Sequence, residues 1–371
     1  MHWLLTILIL PYLILLLRNY GSLLKIKTFT ITSDPSIFVS VVIACRNEQE
    51  NLPALLNCIS FQDYPVNQFE VIIVDDNSTD DTFKIASEFK RLSNIHVLKN
   101  KGKGKKYALR TGIESATGKL IVTTDADCIM GKNWIKTISA YYEIQKSDMI
   151  ICPVKLEATN NITGKFEELE FLSLQGITAA SALKGKSIMC NGANLAFKKE
   201  AYLNHAGNLH DEINSGDDVF LLHSLKKEKG SEIKWLESSD ATVTTKSSVS
   251  FRSLLKQRSR WISKGKNYTD KDTIITAAAT LMVVILQLFL FVATFINPAL
   301  LVSFIVIFIL KSIPDFLILW NTARRYGRAK LIKWFIPAQI FYPFYVLSVV
   351  FYTLFNPPSI RFRNFDLRFR I

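Results

Sequence analysis

Apolar positions divide this chain into two oily ends and a mixed, charged middle. Met1–Leu17 is almost entirely apolar. The last third holds three more apolar stretches, Ile274–Phe295, Pro298–Ile313 and Phe335–Phe355. Because a spanning helix needs roughly 17–25 such residues, the pattern predicts one N-terminal and about three C-terminal transmembrane helices. We expect Lys311 to shorten the second stretch, and Pro337 and Pro343 to break the third.

Between the oily ends, short apolar strands alternate with segments of helical periodicity. The predicted strands are Phe38–Ala44, Phe69–Val74, Ile95–Leu98, Leu120–Thr124 and Met149–Pro153. The predicted helices are Glu50–Phe61, a helix capped by Asn77-Ser78-Thr79 that reaches Leu92, Lys105–Ser115 and Trp134–Gln145. Such alternation is typical of an α/β fold, in which helices cover both faces of a mostly parallel sheet.

Two further helices are expected on the C-terminal side of this region. Phe166–Leu183 is acidic, and we interpret it as a packing helix. Ser247–Ile262 is amphipathic, so it can lie in the membrane interface, with Arg252, Lys256 and Arg258 near lipid headgroups. The resulting domain prediction is an N-terminal anchor (1–18), a soluble domain (36–245), an interfacial helix (246–270), a transmembrane region (272–356) and a basic tail (357–371).

The formal net charge of +13 narrows the function classes. Basic residues flank the oily segments, fill the loop Lys99–Lys106 and line Arg252–Lys266. Basic flanks are typical of the cytoplasmic side of a membrane protein, and a basic loop suits an anionic substrate. No reading helix or aromatic sheet motif favours a nucleic-acid partner. We therefore expect membrane lipid and an anionic ligand as partners, and no nucleic acid.

The five cysteines include no CxxC pair, which fits a reducing, cytosolic setting for the soluble part. Met1–Leu17 lacks a basic leading region and a small-residue cleavage site, so an anchor is favoured over a signal peptide. The expected location is the inner (plasma) membrane, with several spans and a cytoplasmic soluble domain. Three C-terminal crossings would put the basic tail outside, against the positive-inside tendency, so the number of crossings stays open.

Two acidic clusters follow predicted strands. Asp75-Asp76 follows Val74, and Asp125-Ala126-Asp127 follows Thr124. Ligands of parallel sheets bind at the carboxyl ends of strands, and adjacent carboxylates are unfavourable unless a cation neutralises them. Mg²⁺ or Mn²⁺ carrying diphosphate oxygens would do so. Helix capping and turn formation are the alternative reading of these aspartates.

A glycine- and lysine-rich loop, Asn100–Lys106, leads into a predicted helix. Glycines allow a ligand to approach the backbone, and lysines beside a helix start favour phosphate. The loop does not match the P-loop pattern G-x-x-x-x-G-K-[ST]. A solvated basic loop with no ligand remains the alternative.

Several motifs, taken in order, resemble the membrane-bound family 2 glycosyltransferases. They are Val42–Glu48, Val74–Asp80, Gly104–Leu109, Thr124–Asp127, Gly192–Phe197, Ser215–Asp218 and Gln257–Trp261. The resemblance covers about residues 38–268. The last is similar to the Q-x-x-R-W signature of this family. Its members include synthases of cellulose, hyaluronan and poly-N-acetylglucosamine, and ceramide glucosyltransferases. The resemblance implies a GT-A fold.

The resemblance also implies roles for individual residues. It assigns Ala44, Arg46 and Glu48 to the nucleoside pocket and Asp76, with Asp75, to uracil. It assigns Lys105 to the nucleotide, Asp125 to the ribose and diphosphate, and Asp127, with Asp125 beside it, to a divalent metal. On the acceptor side, the residues implied are Asp218, Asp217, Arg260, Trp261 and Gln257.

Asp218 matches the last acid of the family's T-E-D motif, the general base. The departure here, Gly216-Asp217-Asp218, leaves open whether Asp217 shares that role. The alternative interpretation of both acids is that they form a helix N-terminus ahead of Val219. Arg260 is the expected partner of the departing diphosphate.

The expected activity is inverting transfer of a sugar from a nucleotide-diphosphate donor, a UDP-sugar, to a polysaccharide or surface-glycan acceptor. A single-transfer glycolipid synthase is the alternative, since three or four helices are few for a polymer channel. An oligomer or accessory subunit could supply more. A transporter is the remote alternative, because only Lys311 and Asp315 bring charge near the apolar spans.

Overall fold

The computed structural model describes residues 7–210, 213 and 216–356. The predicted basic tail (357–371), the first six residues of the predicted anchor and Ser215 lie outside the described residues.

The strands form two sheets. They are β1 (Val39–Cys45), β2 (Phe69–Asp75), β3 (Ile95–Lys99), β4 (Leu120–Asp125), β5 (Ile129–Met130), β6 (Met149–Ile151), β7 (Val154–Glu157), β8 (Asn194–Lys198), β9 (Ile233–Trp235) and β10 (Val243–Lys246). The seven-stranded sheet has the order β3-β2-β1-β4-β8-β6-β9, and only β8 runs antiparallel to its neighbours. A three-stranded sheet has the order β5-β10-β7. The predicted mostly parallel α/β fold is confirmed.

The helices alternate with these strands and then follow them. They are α1 (Leu10–Leu23), α2 (Leu52–Ser60), α3 (Thr82–Ser87), α4 (Lys105–Ser115), α5 (Trp134–Gln145), α6 (Ile162–Ala182), α7 (Lys199–His205), α8 (Asp217–Lys227), α9 (Phe251–Ser263), α10 (Lys271–Thr294), α11 (Leu300–Arg325) and α12 (Phe335–Phe355). The predicted bounds of α4, α5 and α12 agree with the structure.

Both faces of the large sheet are buried, because successive apolar side chains of each strand point to opposite sides. Val41 and Ile43 join one hydrophobic cluster, and Val42 joins the other. Helix α4 lies very close to the second face: a Cβ on Gly112 would be only 2.5 Å from Val42 Cγ1. This close packing fixes the start of α4, Lys105, against the carboxyl edge of the sheet.

The predicted helix from Asn77 to Leu92 is wrong, since α3 spans only Thr82–Ser87. The residues expected to cap it bridge two loops instead. The backbone N–H of Asn47 donates to Ser78 Oγ at 3.0 Å, and Thr79 N–H donates to Asn47 Oδ1 at 2.8 Å. Asn47 and Asn77 both adopt positive φ, 56° and 55°, a conformation that asparagine tolerates better than most residues.

Three helices are long and apolar enough to cross a membrane: Lys271–Thr294, Leu300–Arg325 and Ala329–Phe355. Helix α1 is shorter, with 14 residues, and is not among them in the described part of the chain. The expected shortening at Lys311 is wrong, because α11 continues to Arg325. The expected break in the third stretch is also wrong, since Pro343 lies inside the continuous helix α12.

Lys311 is tolerated inside α11 because its charge has partners. Its ammonium lies 2.7 Å from Asp315 Oδ2 and donates to Gln339 Oε1 of α12 at 2.8 Å. The Tyr12 hydroxyl of α1 donates to the other oxygen of Asp315 at 2.5 Å. A polar network therefore joins the first described helix to the last two.

The C-terminal helices pack directly on the α/β part of the chain through α6. A Cβ on Gly176 of α6 would lie 2.3 Å from Thr322 Oγ1 of α11, so only glycine permits this approach. The acids of α6 face the basic residues of its neighbours, as in the ion pair between Glu168 and Arg328. Its interpretation as a packing helix is confirmed.

The expectation that Arg258 reaches lipid headgroups is wrong. Arg258 of α9 is buried, and its Nε and Nη2 atoms donate to Glu170 Oε2 of α6 at 3.0 and 2.7 Å. Its guanidinium lies 4.1 Å from the centre of the Trp261 ring. Tyr345 of α12 donates to the other oxygen of Glu170 at 2.9 Å. Arg252 and Lys256 remain exposed.

Candidate active site

The predicted nucleoside and metal residues gather at one edge of the large sheet. In the strand register Ala44 of β1 is level with Val74 of β2 and with Asp125 of β4, and Cys45 is level with Asp75. Ala44, Asp75 and Asp125 therefore lie side by side at the carboxyl ends of three neighbouring parallel strands. This is the edge at which open parallel sheets bind their ligands.

Asp76 connects this edge to the glycine- and lysine-rich loop. Its carboxylate accepts hydrogen bonds from Asn100 Nδ2 at 2.7 Å and from the backbone N–H of Gly104 at 2.8 Å. Arg46 is mostly exposed and approaches the same carboxylate at 3.8 Å. Asp75 accepts one bond from Ser78 N–H at 3.3 Å, and its Oδ1 is buried without a partner. Asp76 thus holds the loop in place.

The two lysines after Gly104 behave differently. Lys105 forms an ion pair with Asp125. Loss of hydration lowers the pKa of Lys105, but the carboxylates of Asp125 and Asp217 outweigh that effect and raise it above its usual value. Lys106 is buried and donates to the backbone carbonyls of Leu209 and His210 at 2.6 and 2.9 Å. Lys106 therefore secures the segment that leads to α8, a role that the sequence did not indicate.

Three carboxylates lie around the Asp-Ala-Asp turn. Asp127 accepts a hydrogen bond from Thr245 Oγ1 of β10 at 3.0 Å. Burial raises the pKa of Glu48, a bond from Asn51 opposes this, and the nearby carboxylates of Asp127 and Asp125 add to it. Among the described residues, no group of three or more His, Cys, Asp or Glu side chains forms a ready-made metal site. A cation here would need ligands from the substrate as well.

Asp217 and Asp218 form the first turn of α8, after Gly216 at φ +91°. The carboxylate of Asp218 accepts from Gly192 N–H at 3.0 Å and from Val219 N–H at 2.8 Å. Burial and the Asp218 carboxylate raise the pKa of Asp217, while Lys105 lowers it. The motif around Gly192, the start of α8 and the Lys105–Asp125 pair therefore meet in one place.

Only some of the Q-x-x-R-W residues of α9 contact the α/β part of the chain. Gln257 accepts a hydrogen bond from Arg258, and Trp261 packs against the hydrophobic cluster on one face of the large sheet. Arg260 is exposed, and no ion pair links it to another described residue. The structure thus joins Trp261 to the α/β part of the chain but does not bring Arg260 to a carboxylate.

Residues 40–205 match the sequence model of glycosyl transferase family 2. These residues are a family 2 glycosyltransferase domain. The resemblance drawn from the motifs is confirmed for them. Asp217, Asp218 and the Q-x-x-R-W segment lie beyond the matched residues.

The relatives of the family 2 domain include an archaeal and a bacterial protein. The chain is 38% identical over 101 residues to glycosyltransferase AglE of Haloferax volcanii, covering 27% of this chain and 33% of that protein. It is 28% identical over 166 residues to poly-beta-1,6-N-acetyl-D-glucosamine synthase of Staphylococcus epidermidis, covering 44% and 40%. The chain thus spans less than half the length of these relatives.

A solved structure shows the fold of the family 2 domain in another protein. The mannosyltransferase PcManGT of Pyrobaculum calidifontis, solved with GDP-Man and Mn²⁺, superposes with a TM-score of 0.59 at 19% identity. The match covers 96% of this chain and all of that one. The predicted GT-A fold is confirmed.

Some residues near the family 2 site have roles that the sequence did not show. Trp134 follows the Asp-Ala-Asp turn closely in sequence, but it is fully buried and its Nε1 donates to Asn194 Oδ1 at 3.0 Å, so it is a core residue. The sequence motifs also do not include Lys264, which lies one turn beyond Trp261. Its spacing of three residues from Trp261 and seven from Gln257 is the sequence signal that places all three on one face of a helix.

Proposed function

We propose that the chain catalyses inverting transfer of a sugar from a nucleotide-diphosphate donor, a UDP-sugar, to a hydroxyl of a polysaccharide or surface-glycan acceptor at a membrane. The observation that carries the proposal is the setting of Asp218. Two backbone N–H groups hold its carboxylate at the first turn of α8, in the neighbourhood of the Lys105–Asp125 pair. A carboxylate held in a fixed position can act as a base on the acceptor hydroxyl. The nearby lysine can bind the anionic leaving group.

In this proposal the nucleoside lies on the β1 and β2 side of the edge. Ala44, Arg46 and Glu48 line its pocket, and Asp76, with Asp75, faces the uracil. The hydrogen bonds that Asn100 and Gly104 donate to Asp76 support this arrangement, because they fix the loop next to the strand ends. Lys105 would bind the diphosphate, which offers its ammonium a second anionic partner besides Asp125.

A divalent metal, Mg²⁺ or Mn²⁺, is proposed as the cofactor. Asp125 and Asp127 supply the hard oxygen ligands that these ions prefer, and Mg²⁺ is commonly held by one or two carboxylates plus substrate phosphates. The absence of a group of three such ligands among the described residues agrees with a site completed by the donor. When bound, the metal would neutralise charge on the departing diphosphate.

The chain's own residues then perform the proton transfer. Asp218 takes the proton of the acceptor hydroxyl while the oxygen forms a bond to the anomeric carbon from the side opposite the diphosphate. The bond to the diphosphate breaks, and the configuration inverts, as in inverting hydrolysis with an acceptor hydroxyl in place of water. We propose that Asp217, with its raised pKa, assists Asp218, and that Gln257, Arg260 and Trp261 border the diphosphate and acceptor.

A membrane setting supports this assignment of acceptor. Three helices are long and apolar enough to span a bilayer, and we propose that the catalytic domain (36–245) is cytoplasmic, with the interfacial helix (246–270) beside it. Similarity to a poly-N-acetylglucosamine synthase supports a polymer acceptor, and similarity to an undecaprenyl-phosphate sugar transferase supports the glycolipid alternative. An oligomer or accessory subunit would be needed if a wider channel is required.

The test offers the purified full chain a panel of labelled nucleotide sugars with Mn²⁺ or Mg²⁺ and sizes the product. A ladder supports polymer synthesis, and one lipid-soluble product supports the glycolipid alternative.

Asp218→Asn should keep donor binding and stop transfer. Asp240→Asn, an exposed aspartate that bonds only Asn133 in the described structure, is the matched control and should transfer normally. Collapse of donor binding in Asp218→Asn would refute its role as base.

A further inference from the structure

Lys264 ends α9 and is buried beside the first turn of α8. Only 7% of the residue is exposed. A Cβ placed on Gly216 would be 2.6 Å from Lys264 Cδ and 3.4 Å from its Nζ. The ammonium therefore lies next to the glycine that precedes Asp217 and Asp218.

The charge of Lys264 lacks a close protein partner. Burial raises the pKa of Cys190, the carboxylates of Asp218 and Asp217 raise it further, and Lys264 lowers it, so these groups share one neighbourhood. Yet, among the described residues, no hydrogen bond or ion pair joins the Lys264 ammonium to another group. The side chain is largely buried while its ammonium stays accessible and without an anionic partner in the described part of the chain. A cation in such a partly desolvated place favours an anionic ligand that completes the site.

The direction from which Lys264 reaches the site differs from that of Lys105. Lys105 starts α4 and pairs with Asp125 at the sheet edge. Lys264 comes from α9, the helix that packs through Leu254 on Tyr345 and Val349 of α12. Along α9, Gln257, Trp261 and Lys264 are spaced by four and three residues and lie on one face. The ammonium therefore approaches the two carboxylates from α9 and not from the edge of the large sheet.

We infer that Lys264 binds a phosphate group of a substrate in the transfer complex, an inference that rests on the proposed transfer function. The phosphate belongs either to the departing diphosphate of the donor or to a phosphate-bearing acceptor. In both cases the phosphate supplies the anionic partner that the Lys264 ammonium lacks, close to Asp218. Lys264 is then a substrate-binding residue that restricts the reaction to ligands with phosphate at this position.

The experiment measures binding of two probes to the detergent-solubilised full chain. The probes are UDP with Mn²⁺, and farnesyl phosphate compared with farnesol. Lys264→Met should weaken binding of one probe by about tenfold or more, as expected for loss of a charge-assisted contact, and Lys264→Arg should retain most of it. The exposed Lys266→Met is the matched control. Weaker UDP binding identifies the donor diphosphate, and weaker farnesyl phosphate binding identifies a phosphate-bearing acceptor.

A second measurement does not depend on a variant that folds. In the wild-type chain, an amine-reactive label followed by mass spectrometry reports the reactivity of Lys264 with and without each probe. Protection by UDP or farnesyl phosphate, but not by farnesol, supports the inference. Unchanged binding in a folded Lys264→Met variant, or no protection by either probe, overturns it. Neither measurement needs turnover, so failure of the proposed transfer would appear separately, as no product from any nucleotide sugar.

Discussion

The buried ion pair between Arg258 and Glu170 allows a quantitative test of how α9 is held. The side chains are 5% and 12% exposed, and Tyr345 donates to the second oxygen of Glu170. Removing one partner of a buried pair typically costs about 3–5 kcal/mol, because the other charge stays buried. Glu167 also attracts Arg258, so we take the lower end, about 3 kcal/mol, for Glu170→Gln.

Glu168→Gln is the matched control on the same helix. Its partner, Arg328, is 37% exposed and remains hydrated when the carboxylate is lost. We therefore expect a loss of about 1 kcal/mol or less. The two substitutions make the same chemical change, remove one negative charge each, and differ in the burial of the arginine that they leave behind.

The assay follows tryptophan fluorescence during heating of the detergent-solubilised full chain. At about 2 °C per kcal/mol, Glu170→Gln should lower the thermal midpoint by roughly 6 °C and Glu168→Gln by about 2 °C or less. Glu170→Gln should also reduce transfer more than UDP binding, since Arg258 supports Trp261. Equal shifts in the two variants, or a larger one in Glu168→Gln, would refute the reasoning from burial.

The remaining predictions concern the site itself. Burial and the Asp218 carboxylate raise the pKa of Asp217, so its ionisation opposes folding as the pH rises through that pKa. Asp217→Asn should therefore raise the thermal midpoint of the donor-free chain at about pH 8, and the gain should disappear near pH 4; an equal gain at both would contradict this. Gly216→Ala should lower stability by about 1–2 kcal/mol in the same heating assay, since φ is +91° and the new Cβ meets Lys264; a neutral effect would contradict the strain. Asp127→Asn should abolish metal-dependent transfer or hydrolysis of the donor, measured by release of UDP across a Mn²⁺ titration, and full activity would refute the metal assignment.

Local features of this chain were predictable from sequence, because they depend on neighbours in the sequence. The starts of α4 at Lys105 and α5 at Trp134 follow from hydrophobic periodicity, and the position of Asp125 follows from the apolar strand before it. The register that sets Ala44 beside Asp125 follows once the sheet is parallel.

Long-range pairing was not predictable in the same way. Arg258 looked like a lipid-facing residue because its partner, Glu170, lies 88 positions away. Lys311 looked like a helix end for the same reason, since Gln339, which accepts from it, and Tyr12, which donates to its partner Asp315, come from other helices. The helical pattern shows which face of α9 carries charge, but not which partner buries it. The same limit concealed Lys264, whose surroundings come from α8.

The approach of Gly176 to Thr322 has a consequence for how the chain can be divided. Gly176 belongs to the α/β part, and Thr322 belongs to a helix that is apolar enough to cross a membrane. Because there is no room for even a methyl group between Gly176 and Thr322, the two parts form a tightly packed interface and not a flexible connection. A protein truncated at residue 245 would expose that face of α6 to water, and we expect it to aggregate. Without the three long apolar helices, the remaining α/β part would therefore have part of its interior turned outward.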